Sequence, residues 1–427
     1  MIKLKTQIPG PKSSKILNSL KNRNGGWGVP HPIVHSSKGK GPYTQDLDGN
    51  VFLDFACQIA SNPMGYNHPE MLKVLKKSIK RFPVKYAGQD FTVKEHLDFI
   101  ETVTDIAPKG MNTMFVVNSG AEAVENAIKI CMRNRKNKKF SISVDGSFHG
   151  RTLGALSLHH SKPVHRKGYM LEPNKELLFS DNAGDKLKSI IDRYGASSIA
   201  FVILEHLQGE GGYRVPSKKM VNDLRRITSR YKIPYIADEV QAGMGRTGKW
   251  WAFEHYGIRP EAFSTAKALQ LGAVVANKKQ FPNEPGSISS TWGGGHIIDM
   301  MLGMKTIEII KRDKLLDRNR KNGNYILKRI KEIEGTYEHR GRGMMVAFDL
   351  DNSKDRDNFV IECARNGLLI LGCAQKGVRI IPPYIIERDE IDEGLNTVEK
   401  AVKKVTRKGF KHKGNICKFM GCAEGSS

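Results

Sequence analysis

The run from Ile233 to Ala237 is short and mostly apolar, and it leads into Asp238-Glu239-Val240-Gln241 and a glycine-rich turn. Such a run reads as a buried strand, and its carboxyl end delivers Asp238 to the edge where open α/β sheets bind ligands. A second short apolar segment, Ala262 to Ala266, ends on a lone lysine, Lys267. A carboxylate at a sheet edge wants a cationic partner, and a desolvated amine can form a Schiff base with a carbonyl group. Asp with Lys is the pair pyridoxal phosphate needs: an amine to form the imine, and an anion that keeps the pyridine nitrogen protonated so the ring can accept electrons. An aspartate at a strand end is more often a cap or half of an ion pair, and a lone lysine is usually solvated. The pair therefore takes its meaning from the rest of the chain.

At 427 residues the chain can build two or three compact units around a large core. A hydrophobic fraction of 39% with 42 glycines suits a loop-rich α/β protein. No apolar run approaches the roughly 18 residues of a membrane span, so a soluble protein is expected. The six cysteines, Cys57, Cys131, Cys363, Cys373, Cys417 and Cys422, lack the spacing of a zinc site or a disulfide framework. Reduced thiols, a cytoplasmic location and no metal are expected. The net charge of +25 raises the question of nucleic acid. Basic residues run along the whole length without a nucleic-acid recognition motif, and a basic field equally attracts anionic substrates and a phosphorylated cofactor.

Residues 1–45 hold no Asp or Glu and only one arginine, Arg23. Targeting peptides are Arg-rich, so this stretch reads as an arm packed on the body. In GPYTQDLDGNVFLD, Asp48-Gly49-Asn50 is turn chemistry between two short strands. Ala56 to Pro69 supplies Gln58, Ile59 and Asn62 on an irregular stretch. Leu97, Ile100 and Val103 precede Pro108, the pattern of a helix with a proline stop. A strand, Met114 to Val117, then meets Ser119 and Glu122 at capping-box spacing, with Ala121, Val124, Ile128 and Cys131 at helical spacing. The free amides at such a helix start can hold a phosphate. Phe140 to Val144 leads into Gly146-Ser147-Phe148-His149-Gly150-Arg151-Thr152, where an aromatic can cover a flat ring and an arginine can clamp a carboxylate. Ile199 to Leu204 is the most apolar strand and exits into Glu205-His206-Leu207-Gln208-Gly209-Glu210. Further on come a hydroxyl loop, Ser289-Ser290-Thr291-Trp292, a helix from Asp299 to about Arg312, and alternating helical and strand patterns to residue 405. The basic, then Gly/Ser-rich tail carries no period.

SGAEAVENA, FHGRT, QGEGG, DEVQAGMGRTG, STAK and STWGG, in this order across about residues 40 to 400, resemble the class III aminotransferases. This is the 4-aminobutyrate, lysine 6-aminotransferase and ornithine group of fold type I pyridoxal phosphate enzymes. The resemblance implies an α/β fold with a large, mostly parallel, seven-stranded-type sheet domain flanked by helices, plus a smaller α/β domain. The expected division is an arm and hairpin over 1–60, a cofactor-binding domain over 61–312, a small domain over 313–405 and a flexible tail over 406–427. It implies Lys267 as the Schiff-base lysine, Asp238 as the partner of the pyridine nitrogen, Gln241 beside the phenolic oxygen and Phe148 over the ring. Ser119, Gly120 and Ala121 match the phosphate cradle, and Thr291 the threonine that reaches the phosphate of a neighbouring subunit in a homodimer with shared sites.

For substrate, Arg379 matches the arginine that binds the α-carboxylate of glutamate or 2-oxoglutarate. Glu210 matches the glutamate that pairs with that arginine when an ω-amine is bound, and Arg151 the arginine for the far carboxylate. QIASNPMGYNHP, with Ile59 where ornithine enzymes have tyrosine, is similar to 4-aminobutyrate aminotransferases, whereas STWGG with IIDM and GRGMMVAFDL is similar to lysine 6-aminotransferases. The donor stays open between these, with an ornithine or acetylornithine enzyme and an amino acid racemase as alternatives on the same scaffold. His206 stands where the family usually has proline, Gly295-His296 where Asn-Pro is common, and Ala273 where proline often follows glycine. None removes a catalytic group; all bear on loop geometry. Ser119 and Glu122 occupy the region where some animal 4-aminobutyrate enzymes carry a cysteine pair, so no iron-sulfur cluster is expected.

Overall fold

The computed structural model describes residues 1–25, 31–81, 91–133, 135–284, 286–288, 294–407, 409–412 and 416–420. Thr291 and its neighbours from Ser289 to Gly293 lie outside the described residues. The chain forms two compact units, one from Glu70–Asp317 and one from Met1–Pro69 together with Arg318–Ser427.

The Glu70–Asp317 unit is built on seven strands: β1 (Thr113–Val117), β2 (Phe140–Val144), β3 (Asn174–Leu177), β4 (Ile199–Leu204), β5 (Tyr235–Asp238), β6 (Ala262–Thr265) and β7 (Gly272–Ala276). Their order in the sheet is β1-β7-β6-β5-β4-β2-β3. The pairs from β6 across to β3 are parallel. β7 runs antiparallel to both β6 and β1. The short connection from Ala266 to Leu271 cannot make the crossover that parallel neighbours require, so β7 must turn back. Every residue of β2, β4, β5, β6 and β7 is buried, which is why these segments read as unbroken apolar runs rather than alternating ones. Successive residues of β4 serve opposite faces. Val202 and Leu204 join a cluster with Leu187, Ile190 and Leu224. Phe201 and Ile203 join one with Val124, Ala127 and Cys131 of the helix Gly120–Met132.

In the other unit, Tyr43–Asp46 pairs antiparallel with Val51–Asp54, and Leu368–Leu369 adds to the latter in parallel. A second sheet joins Tyr337–Arg342, Met345–Asp349, Gly377–Ile380 and Leu371–Cys373. Its core packs Phe348, Val378 and Ile380 against Phe359 and against Ile391, Leu395 and Val398 of the helix Arg388–Val405. Asp48 does more than turn the chain. Its carboxylate accepts from the amides of Lys12 (2.8 Å) and Ser13 (2.9 Å), supplying the cap that the helix Pro11–Lys21 lacks from its own N-cap residue, Gly10. The arm is further tied where Ile2 N donates to Glu393 at 2.8 Å.

Two sequence readings are revised here. The irregular stretch is an ordered left-handed turn, with φ of 50°, 48°, 57° and 68° at Cys57, Gln58, Ile59 and Ala60. Each such residue costs roughly 1–2 kcal/mol, and Asp54 pins the entrance by accepting from the amides of Ala56 and Cys57, both at 2.8 Å. The tail, expected to be flexible, is partly packed. His412 Nε2 lies 2.7 Å from the Asn358 carbonyl oxygen, and Ile416 is buried beside Ile8 and Phe52.

Gly272 opens β7 directly under the turn that starts the helix Gly120–Met132. A Cβ there would lie 2.7 Å from Ser119 C and 2.9 Å from Ser119 N, both backbone atoms. Gly272→Val should therefore lower the unfolding free energy by about 1–3 kcal/mol, read by chemical denaturation; an unchanged midpoint would show that the Ser119 turn can move aside.

Candidate active site

β5 ends on Asp238, which is 4% exposed. Its neighbour β6 carries Ser264 in register with it, and the Ser264 hydroxyl donates to Asp238 Oδ1 at 3.1 Å. The same oxygen accepts from Val240 N at 3.0 Å. Asp238 Oδ2 faces His149 Nδ1 at 2.7 Å, both side chains being buried. A carboxylate only accepts, so this contact places the proton on Nδ1 of His149. An ionised carboxylate offers about four lone-pair sites. Three are occupied, and the one remaining belongs to Oδ2.

Lys267 follows three residues after Ser264, at the start of the 3₁₀ turn Lys267–Leu269 and with φ of 48°. The turn before it touches the phosphate-cradle candidate: a Cβ at Gly120 would lie 2.7 Å from Val240 Cγ1 and 3.4 Å from Ala266 Cβ. Gly120 therefore sits against both the Asp238 turn and the Lys267 turn, which only a residue without a side chain permits. The capping box expected here is formed. Ser119 Oγ accepts from Glu122 N at 3.2 Å, and Glu122 accepts from Ser119 N at 2.9 Å. The amides of Gly120 and Ala121 open the helix and have no intrahelical acceptor, the arrangement that binds phosphate.

The two loops from β2 and β4 close on the same place. A Cβ at Gly150 would meet Ala121 Cβ at 2.8 Å, and one at Gly209 would meet Gln241 Nε2 at 2.8 Å. Glu205 ties them together, accepting from Phe148 N at 2.9 Å and from Gly209 N at 2.8 Å. Burial pushes the Glu205 carboxyl up to about 7, with the Asp238 charge adding to the effect and His149 and the two amides offsetting it. Phe148 is half-buried, with the Arg151 guanidinium 5.7 Å from its ring centre.

Among the sequence-selected residues, Ser119, Gly120, Ala121, Phe148, Gln241, Asp238 and Lys267 thus lie on turns that touch one another. Arg151 and Glu210 sit on two of the same turns. Ile59 and Arg379 belong to the other unit: Ile59 on the left-handed turn, Arg379 buried in the strand Gly377–Ile380 opposite Ala347 and Leu371. Thr291 is outside the described residues. Sequence reasoning gave no role to His149, Ser264 or Glu205. His149 sits in the quoted FHGRT motif, but nothing local signals its contact with a residue 89 positions away.

Three buried side-chain atoms have no hydrogen-bond partner among the described residues at these turns: His149 Nε2, Gln241 Oε1 and Thr265 Oγ1. Orphaned buried polar atoms cost free energy unless a ligand or water meets them. With the open lone pair of Asp238 and the free helix amides, they fit a planar, phosphorylated, hydrogen-bonding group. Among the described residues no cluster of His, Cys, Asp and Glu could hold a metal ion, and no helix is long and apolar enough to cross a membrane.

Glu205 binds protons more readily in the folded protein than its ordinary value near 4.5 allows. Its contribution to stability is thus fully present below about pH 4.5 and is lost as pH rises through about 7. Glu205→Gln should flatten the fall in unfolding free energy across that window, measured by denaturant titration at several pH values. An unchanged slope would remove Glu205 as its source.

The family model for Aminotransferase class-III matches residues 27–402. The chain is 33% identical to acetylornithine aminotransferase of Archaeoglobus fulgidus over 364 residues, 84% of this chain and 92% of that protein. It is 30% identical to the probable mitochondrial 4-aminobutyrate aminotransferase of Caenorhabditis elegans, covering 94% of each. Among solved structures, lysine aminotransferase from M. tuberculosis superposes with a TM-score of 0.87 at 25% identity, over 92% of this chain and 100% of that one. On this sequence match, and with the sheet and turns described above, the chain belongs to the class III aminotransferases, fold type I enzymes that use pyridoxal phosphate.

Proposed function

We propose that this enzyme transfers the ω-amino group of 4-aminobutyrate or lysine to 2-oxoglutarate, giving glutamate and a semialdehyde. The observation that carries the reading of the site is Asp238, buried at a strand end with three lone pairs occupied and one open, beside the turn that bears Lys267. The similarity to 4-aminobutyrate and lysine aminotransferases supports the donor class. The similarity to acetylornithine aminotransferases supports a second reading, in which the donor is an acetylated ornithine; here too the amine is the ω-amine.

Pyridoxal phosphate supplies the carbonyl that takes up an amine and the ring that draws electrons from the carbon being deprotonated. Asp238, its carboxylate fixed by His149 and Ser264, would hold a proton on the pyridine nitrogen. Ser119, Gly120 and Ala121 hold the phosphate at the helix start. Phe148 and Gln241 would help hold the cofactor ring. Lys267 Nζ anchors the cofactor and then moves the proton to and from the substrate carbon as general base and acid. Arg151 binds the far carboxylate, Arg379 the α-carboxylate of 2-oxoglutarate, and Glu210 and Ile59 shape the reacting end. Thr291 is assigned to the phosphate of a neighbouring subunit, which makes the enzyme a homodimer with shared sites. Exposed apolar side chains within one stretch, Leu153, Val164, Tyr169, Met170 and Leu178, support burial against a second copy. Buried cysteines outside any disulfide, Cys131 and Cys363 among them, agree with a reducing, cytoplasmic setting.

Supplied with 2-oxoglutarate and, in turn, 4-aminobutyrate, lysine, ornithine and acetylornithine, the enzyme should form glutamate fastest with one of these ω-amines. Reaction with α-amino acids alone would overturn the assignment. Lys267→Ala should still bind the cofactor yet lose roughly 100- to 10,000-fold in turnover, the loss expected of a missing acid–base group. Retained turnover would count against Lys267.

A further inference from the structure

After the short helix Leu153–Ser157 the chain doubles back over the turn that carries Phe148. Ser147 fastens this strap on both sides: its hydroxyl donates to Leu158 O at 2.6 Å, and its carbonyl accepts from His160 N at 2.9 Å and Ser161 N at 3.1 Å. The far end is a 3₁₀ turn, Pro163–His165. His159 Nε2 lies 3.0 Å from both Ser161 Oγ and His165 Nδ1, and the His159 ring stands edge-on to Phe148 with centroids 4.7 Å apart. Burial pushes His159 down to about 3 and lowers His165 as well, so neither histidine adds charge at neutral pH.

Lys162 is carried between these anchors. Its Nζ is 3.7 Å from Glu210 Oε2, with the Glu210 side chain 14% exposed. Glu210 itself is held in place by its loop, since Gly209 N donates to Glu205 and Gly209 is packed against Gln241. A cation on a fixed strap thus faces the carboxylate that borders the Gln241 side of the site. We propose that Lys162 is a specificity-determining residue: by pairing with Glu210 it weakens the repulsion between Glu210 and a substrate whose reacting end carries a carboxylate. This rests on the reading above that Glu210 borders the reacting end. Lys162 then favours the 2-oxoglutarate half of the cycle, because an ω-amine brings no carboxylate to that end for Glu210 to repel.

The test uses unreactive probes on the cofactor-loaded enzyme. Glutarate carries a carboxylate at both ends and pentanoate at one, so calorimetric titration of each separates the reacting end from the far end. Lys162→Met should weaken glutarate about two- to fivefold, the range of a partly exposed ion pair, leave pentanoate unchanged, and be restored by Lys162→Arg. The loss should vanish when Lys162→Met is combined with Glu210→Gln. Equal weakening of both acids, no weakening of glutarate, or a loss that persists with Glu210→Gln would each overturn the proposal. If the unaltered enzyme formed no glutamate from 2-oxoglutarate, the acceptor assignment would fall, while the contrast between glutarate and pentanoate would still decide the role of Lys162.

Discussion

The hydrogen bonds around Asp238 organise the site. A carboxylate buried to this degree is costly to keep charged unless donors surround it. His149, Ser264 and the Val240 amide provide three, each from a different place in the sequence. Ser264 comes from the neighbouring strand, so the parallel pairing of β5 with β6 positions both the anion and, three residues later, Lys267. The remaining lone pair, on Oδ2, leaves the carboxylate able to accept from one further donor.

Close backbone approach does the rest. Gly120, Gly150, Gly209 and Gly272 each sit where a Cβ would strike an atom of another turn. These contacts draw the ends of β2, β4, β5 and β6 and the helix start after β1 into one place. Polar groups left over from that packing, on His149, Gln241 and Thr265, then face a space the protein does not itself satisfy. The strap over Phe148 adds a charge, Lys162, against Glu210.

Much of this was legible in the sequence because the signals were local. Short apolar runs bounded by polar turns marked β2, β4 and β5, and Ser119 with Glu122 announced its helix start by spacing alone. Asp238 and Lys267 stood out because each ends such a run. What could not be read depended on distance or on handedness. The His149 contact bridges across β4, which lies between β2 and β5 in the sheet. The left-handed turn at Cys57–Ala60 has no glycine to flag it, since Asp54 stabilises it from outside. Asp48 looked like turn chemistry and also caps a helix more than thirty positions earlier, and the tail showed no period although His412 and Ile416 pack. The branch of the family followed neither kind of signal, because QIASNPMGYNHP resembles the 4-aminobutyrate enzymes while STWGG with IIDM and GRGMMVAFDL resembles the lysine enzymes.

The account stands on one amine and one anion serving the same cofactor ring. Borohydride reduction of the pyridoxal phosphate-loaded protein, followed by peptide mapping, tests it most directly. It predicts a single pyridoxyl adduct, on Lys267, whose parent absorbance band shifts with pH differently when Asp238 is changed to asparagine. An adduct on another lysine, or a band indifferent to Asp238, would contradict it.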